Sequence, residues 1–155
     1  MPEQRRSHTR AGSAFTALIL ETFRFNGTLL AAGDRMTAPL GLSSARWQVL
    51  GAIEHGPLSV AQIARTMGVA RQGVQRIADS LAQEGIVAYA PNPQHARAKL
   101  VCLTPKGTGV AQELAKRQVR WANATAAAAS SAEIDAALRT VRCLRLRVER
   151  ERAAR

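Results

Sequence analysis

The fold is decided by residues 58–87, which read LSVAQIARTMGVARQGVQRIADSLAQEGIV. Ser59 and Gln62 stand at the spacing of a capping box, which starts a short helix, and Gly68 suits the left-handed residue that ends it. A second helix is expected over about residues 71–84. Two short helices joined by a glycine-containing turn indicate a helix-turn-helix. The inner face of the second helix carries apolar side chains at helical spacing, namely Val74, Ile77, Ala78 and Leu81.

The outer face of the second helix carries a different set of side chains, Arg71, Gln72, Gln75 and Arg76. They pair at a spacing of four residues and so form one contiguous patch. Arg can donate twice to guanine and Gln can pair with adenine, and each good bidentate contact discriminates by about 1–3 kcal/mol. Gly73, which costs about 0.8–1 kcal/mol against Ala inside a helix, would let the backbone approach DNA closely. By itself such a face is usually only solvated, so its interpretation depends on what surrounds it.

A basic hairpin is predicted after the second helix. Runs of β-prone residues at 86–90 and 99–103 flank a proline-rich loop at 91–98, which predicts a hairpin with a projecting tip. No Asp or Glu occurs from Gly85 to Gln112. A basic tip beside a major-groove helix can reach a phosphate or the adjacent minor groove, and Arg97 is assigned that role. The full set of candidate DNA-binding residues is Arg71, Gln72, Gln75, Arg76, His95, Arg97, Lys99 and Ser59.

Helical segments flank this unit on its N-terminal side. Residues 1–12 are polar and charged and are expected to form a flexible basic arm. A helix is expected over about residues 13–32, and residues 33–42, with a proline and two glycines, should form a connector. Ser43 or Ser44 is then expected to cap the next helix.

Two more helices are predicted on the C-terminal side. Thr104 suits a helix cap and Pro105 the first helical position. Ser130 and Glu133 form a second possible capping box, which would open a final helix after an alanine-rich junction. The flanking helices carry more apolar surface than a lobe of about 65 residues can cover, and a two-fold partner is the commonest way to bury it. This surface includes Phe15, Phe23, Trp121 and Leu138.

The composition favours nucleic acid as the partner. A chain of 155 residues with 46% hydrophobic residues is long enough for one domain with a real core. It carries 22 Lys and Arg against 11 Asp and Glu, a formal charge of +11, and only three of the cations are lysine. Such an excess attracts polyanions, and arginine fits phosphate oxygens and guanine edges. On charge alone, a membrane surface or an acidic protein stays open as a partner.

Other classes of protein find little support. No apolar run is long enough for a membrane span and no secretion signal is visible, so a cytoplasmic protein without a membrane partner is expected. Cys102 and Cys143 predict neither a zinc site nor a disulfide framework, and Cys102 is expected to be a small buried hydrophobe. The three histidines lack metal-site spacing, and there is no GxSxG or phosphate-binding loop. We therefore expect no enzymatic activity, metal or cofactor.

Three runs, in order, resemble the MarR family of bacterial transcription regulators. They are LSSARWQVL at residues 42–50, the stretch at 58–87 quoted above, and NPQHARAKLVCLTPKG at 92–107. The matching features include Trp47, the Arg71-Gln72 start of the recognition helix, and the LTPKG entry to a long helix. Several separate pieces with matching order and spacing are more specific than a lone helix-turn-helix pattern.

The resemblance implies a mainly α (α+β) fold, in which a winged helix-turn-helix lobe lies between N- and C-terminal helices that form an intertwined dimerisation domain. The corresponding division is an arm at 1–12, a dimerisation helix and connector at 13–42, the DNA-binding lobe at 43–104 and C-terminal dimerisation helices at 105–155. The resemblance also implies a homodimeric repressor that binds a pseudo-palindromic operator in double-stranded DNA. A small aromatic or phenolic effector would release it.

The sequence departs from the family pattern at two places. Family wings often carry an acid followed by paired arginines, whereas residues 94–97 read QHAR, with one Arg and no acid. Val69-Ala70, rather than a capping Ser or Thr, precedes the recognition helix, which leaves its first N–H groups for phosphate or water. Two alternatives stay open: a sequence-neutral, nucleoid-like DNA-binding protein, and a winged helix that binds proteins, in which Arg71 and Arg76 would meet acidic side chains.

Overall fold

The computed structural model describes residues 8–95 and 97–154, with the side chain of Arg152 left aside. Six α-helices and three short strands are present in this part of the chain. They are α1 (Arg10–Thr37), α2 (Ser44–Ala52), β1 (Leu58–Ser59), α3 (Val60–Met67), α4 (Arg71–Gln83), β2 (Val87–Ala90), β3 (Leu100–Leu103), α5 (Pro105–Ala126) and α6 (Ser131–Ala153). A short 3-10 helix, Ala38–Leu40, follows α1. The mainly helical fold with a small sheet, expected from the sequence, is confirmed.

The helix-turn-helix forms as its local signals predict. The hydroxyl of Ser59 accepts from the backbone N–H of Gln62, whose side-chain oxygen accepts in turn from the N–H of Ser59, so the capping box is complete. Gly68 ends α3 with a φ of 66°, a left-handed conformation that glycine adopts without a steric penalty. Gly85, with a φ of 69°, follows α4 in the same way. These glycines fix where the two helices stop.

The sheet is antiparallel, with the strand order β1-β3-β2. Val87 pairs with Leu103 and Ala90 with Leu100, so β2 and β3 form the predicted hairpin, each strand one residue shorter than expected. The strand β1 was not predicted: its two residues pair with Val101 and Leu100. A two-residue strand has no periodicity of its own and exists only through this pairing.

One hydrophobic core holds α2, α3, α4 and the sheet together. Val74, Ala78 and Leu81 of α4 are buried, and Ile77 packs against the same cluster while half-buried. An ion pair adds a polar tie, since Nη2 of Arg46 lies 2.6 Å from Oε1 of Glu84. The inner face predicted for α4 is therefore the packed face. The fully buried side chains around it include Leu50, Ile63, Val101 and Leu114.

The N-terminal helix is longer than predicted, so the expected bounds of 13–32 and the connector at 33–42 are wrong at their ends. The helix starts at Arg10, because the Thr9 hydroxyl accepts from the N–H of Gly12 at 3.0 Å and caps it. Part of the arm predicted at 1–12 is thus helical, while residues 1–7 lie outside the described residues. Gly33 lies inside α1, and α2 passes so close to it that a Cβ at this position would lie 2.8 Å from Cβ of Ser44.

The chain divides into two compact units, one ending at Leu114 and the other beginning at Ala115. In the first unit, Thr104 caps α5 as predicted, with its hydroxyl accepting from the N–H of Gly107 at 3.0 Å. Gly107 passes so close to the residue before β2 that a Cβ at this position would collide with the carbonyl oxygen of Ile86. In the second unit, Ser130 and Glu133 form the predicted capping box at the start of α6.

Candidate nucleic-acid interface

The outer face of α4 is available to a ligand at its N-terminal end. Arg71, Gln72 and Arg76 are exposed, and Gln75 is half-buried. Ala70 occupies the cap position and makes no side-chain hydrogen bond to the first turn. The first N–H groups of α4 are therefore uncapped by a side chain, as the sequence predicts, and the positive end of the helix dipole adds to the charge of Arg71.

A cleft of about 350 Å³ separates α4 from the wing, which consists of β2, β3 and the loop between them. Arg71 lines one wall, and Arg97 and Lys99 line the other. The arrangement brings together three of the predicted cations, from segments more than 20 residues apart in sequence, around one concave surface. Gln72, Arg76 and His95 are exposed but do not line this cleft. The other lining residues are Ser59, Val60, Ala61, Gln75, Asp79, Tyr89 and Ala98.

Ser59 lines the cleft, but its hydroxyl is already engaged. It is buried, donates to Oε1 of Gln62 at 2.8 Å and accepts from the N–H of Gln62 at 3.4 Å. A Ser hydroxyl has a single hydrogen to donate, and that hydrogen is used in the capping box. Contact between Ser59 and DNA stays a prediction, and any such contact would compete with the cap of α3.

Three side chains close a hydrogen-bonded triangle on the α4 wall of the cleft. Nε2 of Gln75 donates to Oδ1 of Asp79 and to the hydroxyl of Tyr89, both at 2.9 Å. The Tyr89 hydroxyl donates to the same Oδ1 of Asp79 at 2.7 Å. The triangle joins α4 to β2, so it couples the orientation of Gln75 to the wing.

The triangle changes the acidity of the phenol. Partial burial, followed by the hydrogen bond and the negative charge of Asp79, raises the pKa of Tyr89 to about 12. Burial disfavours the phenolate because it takes the charge out of water, and Asp79 disfavours it because a second negative charge would stand beside the carboxylate. Tyr89 is therefore a neutral donor to Asp79 at any physiological pH.

Asp79 and Tyr89 are site residues that the sequence reasoning missed. Asp79 lies four residues after Gln75, a spacing at which a Gln–Asp hydrogen bond is common on a helix, and this signal was available. Tyr89 is the only tyrosine in the chain, but its contact with α4 joins segments ten or more residues apart. No local pattern predicts a contact of that kind.

A second surface feature is apolar and lies outside the cleft. Of the large hydrophobic side chains exposed in the described residues, all but Val69 belong to α1, α5 or α6. Phe23 is 70% exposed and Phe25 56%, which is unusual for phenylalanine in a monomeric soluble protein. The members on α6 recur at helical spacing and include Ile134, Leu138, Val141 and Val148.

The remaining candidate features are minor. Cys102 is half-buried rather than buried as expected, and Cys143 is exposed. Over residues 8–95 and 97–154, no group of three or more His, Cys, Asp or Glu side chains is placed to hold a metal ion. In the same part of the chain, no helix combines the length and hydropathy needed to cross a bilayer.

Comparison with known proteins gives a consistent result. The family model described as the MarR family matches residues 40–98, which contain the helix-turn-helix and β2 but end before β3. An uncharacterized protein of Mycobacterium tuberculosis is 34% identical over 135 residues, which are 87% of this chain and 94% of the relative. The transcriptional activatory protein BadR of Rhodopseudomonas palustris is 29% identical over 107 residues, 66% of this chain and 61% of BadR.

Solved structures show the same likeness. A MarR family transcriptional regulator from Streptomyces coelicolor superposes with a TM-score of 0.72 and 26% sequence identity. The match covers 89% of this chain and 97% of the regulator, so it extends well beyond the lobe that the family model matches. The long helices on either side of the lobe are thus part of the shared fold.

Proposed function

The chain belongs to the MarR family of winged-helix transcription regulators, and we propose that it acts as a homodimeric repressor that binds a pseudo-palindromic operator. The observation that carries the DNA-binding site is the cleft that gathers Arg71, Arg97 and Lys99 beside the N-terminus of α4. In this proposal Arg71, Gln72, Gln75 and Arg76 enter the major groove. Arg97, Lys99 and His95 on the wing contact phosphates or the adjacent minor groove.

The side chains on the two walls of the cleft suit these two kinds of contact with DNA. Arg71 and Arg76 are exposed, so each can present a bidentate guanidinium to guanine or to phosphate. Arg97 has no carboxylate near it in sequence, and its exposed guanidinium is free to enter a narrow groove of negative potential. The first N–H groups of α4 add neutral donors for a phosphate oxygen.

The dimer is supported by the apolar surface of α1 and α6. Phe15, Phe23 and Leu138 are all exposed in a single chain. A symmetric partner would remove them from water, which stabilises the dimer by about 25 cal/mol for each Å² of apolar surface buried. The lobe at 43–104 would then be the DNA-binding unit, and the segments at 13–42 and 105–155 the dimerisation elements. Two lobes held by shared helices can meet successive major grooves about one helical turn apart.

Repression follows if the operator overlaps a promoter, because bound protein then excludes the polymerase. BadR is named an activator, so the direction of control in this chain depends on where its operator lies. Release would come from a small aromatic or phenolic effector that binds more tightly to a dimer with wrongly spaced lobes, because only a difference in affinity shifts such an equilibrium. The protein would act in the cytoplasm, where its DNA is.

The test is the ratio of affinities for two duplexes at one salt concentration. We expect purified protein to bind the intergenic region beside its own gene at least about 1,000-fold more tightly than a shuffled duplex of equal length. A sequence-neutral DNA-binding protein would bind both equally. A winged helix that binds proteins would bind neither at physiological salt.

The variant that tests the site is the Arg71→Ala, Arg97→Ala double substitution. We expect it to weaken specific binding by about 100-fold or more, since each good contact is worth about 1–3 kcal/mol. The matched control is Arg147→Ala, Arg150→Ala on α6, which removes the same charge from an exposed helix, and sedimentation must show that this variant assembles like the wild type. If both doubles weaken binding equally, net charge rather than the cleft explains the affinity. If neither does, the proposed site is wrong.

A further inference from the structure

The triangle of Gln75, Asp79 and Tyr89 constrains which hydrogen bonds Gln75 can still make. An ionised carboxylate only accepts, so the atom of Gln75 that faces Asp79 must be its amide nitrogen and not its oxygen. Tyr89 has one hydroxyl hydrogen and gives it to Asp79 at 2.7 Å, so it can only accept from Gln75. Both amide hydrogens of Gln75 are therefore used within the protein.

The carbonyl oxygen of Gln75 is left as its only free group. Among the described residues, no hydrogen bond reaches Oε1 of Gln75, and the side chain is half-buried in the wall of the cleft. An unconstrained Gln reads adenine with two bonds, accepting from N6 and donating to N7. A Gln in this triangle can make only the first of them.

We propose that Asp79 and Tyr89 are specificity-determining positioning residues, which hold Gln75 so that it reads DNA as a hydrogen-bond acceptor only. The base that it contacts must then offer an exocyclic amine, which means N6 of adenine or N4 of cytosine. Guanine N7 and O6 and thymine O4 are acceptors and find no partner in Gln75. This inference rests on the proposed function, since it presumes that α4 enters the major groove.

We expect the triangle to persist when DNA is bound. Asp79 is charged, and hydrogen bonds to a charged acceptor are about twice as strong as neutral ones. To donate to a purine N7, Gln75 would have to break one of its two bonds within the protein and leave Asp79 or Tyr89 with a lost partner. A base therefore gains little by competing for the amide hydrogens, whereas Oε1 is free.

The experiment first locates the base pair that Gln75 reads. Wild-type protein and the Gln75→Ala variant each select from a library of randomised duplexes, and the position whose preference collapses in the variant is the one read. Modified bases are then placed at that position, one strand at a time, and affinities are measured by fluorescence anisotropy. We expect replacement of the purine N7 by a carbon, in 7-deazaadenine or 7-deazaguanine, to change wild-type affinity less than twofold.

Removal of the exocyclic amine should have the opposite result. Purine in place of adenine, or 2-pyrimidinone in place of cytosine, should weaken wild-type binding by about threefold to tenfold, the loss of one hydrogen bond. If wild-type protein is sensitive to the loss of N7, or indifferent to the loss of the amine on both strands, the inference is overturned. It is also overturned if Gln75→Ala leaves every position of the selected sequence unchanged.

The Tyr89→Phe variant separates positioning from a merely structural role. Phenylalanine keeps the ring in the sheet but frees one amide hydrogen of Gln75, so we expect the variant to gain sensitivity to the loss of N7 at this position alone. A structural role would instead lower affinity for every duplex by the same factor, and that result would count against the inference. Asp79→Asn is the second variant. The asparagine side chain can donate to Oε1 of Gln75, which lets the amide group of Gln75 rotate by half a turn and exchange its oxygen and nitrogen.

The proposed function and this inference fail in different ways. A wild-type chain that enriches no sequence would overturn the proposed function, and the inference with it. A clear operator with N7-sensitive recognition at the position read by Gln75 would overturn the inference alone.

Discussion

Tyr89 should remain largely un-ionised at a pH that ionises an ordinary tyrosine. Its pKa is raised from 10 to about 12 by partial burial and by Asp79, and it is the only tyrosine in the chain. At pH 11 a phenol with a pKa of 12 is about one-tenth ionised, whereas one with a pKa of 10 is about nine-tenths ionised. The absorbance of tyrosinate at 295 nm reports this fraction directly, with the chain unfolded in urea as the reference.

Linkage gives the accompanying effect on stability. The pKa is raised on folding, so the folded chain keeps a proton that the unfolded chain loses between pH 10 and pH 12. The contribution of Tyr89 to the free energy of unfolding is fully present below pH 10 and is lost as the pH rises toward 12. Circular dichroism at each pH must therefore show that the chain is still folded. Half-ionisation near pH 10 in a chain that remains folded would refute the hydrogen-bonded triangle.

Three further predictions concern stability, DNA approach and assembly. Gly107→Ala should lower the free energy of unfolding by about 1–3 kcal/mol, because a Cβ would collide with the carbonyl oxygen of Ile86. In the same helix, the new Cβ of Gly109→Ala meets nothing within 4 Å, so this control should stabilise the protein, and equal urea midpoints for the two variants would contradict the prediction. Gly73→Ala should stabilise α4 by about 0.8–1 kcal/mol yet weaken operator binding, and an unchanged affinity would show that the backbone does not approach DNA there. Phe23→Glu should shift the sedimenting species toward monomer without loss of helicity, and an intact dimer would place the interface elsewhere.

Local signals were enough to predict the helix-turn-helix. Ser59 with Gln62 starts α3, and Gly68 ends it, because each of these residues acts on backbone groups within a few positions of itself. The apolar spacing of α4 likewise determined which face is buried. The DNA-binding candidates on the outer face then followed from the same periodicity, and three of the predicted cations do line one cleft.

Predictions from the sequence are wrong or incomplete where a residue acts through tertiary contacts. The sequence predicts that Gly33 starts a connector, whereas it lies inside α1 and allows α2 to pass close to it. The pairing of β1 with β3 and the contact of Tyr89 with Asp79 both join segments distant in sequence. Gln75 illustrates the consequence for function: its residue type suggests bidentate reading of adenine, while the triangle uses both of its amide hydrogens.

A hydroxyl-radical footprint on the region upstream of the gene tests most directly whether two linked lobes read DNA as one unit. Two-fold symmetric protection of the sugar backbone in two segments, with centres about 10 base pairs apart, is the expected pattern. In the Arg71→Ala, Arg97→Ala variant both protected segments should fade together at the wild-type protein concentration. A single protected segment, or even protection along the whole duplex, would contradict a dimeric, sequence-specific regulator.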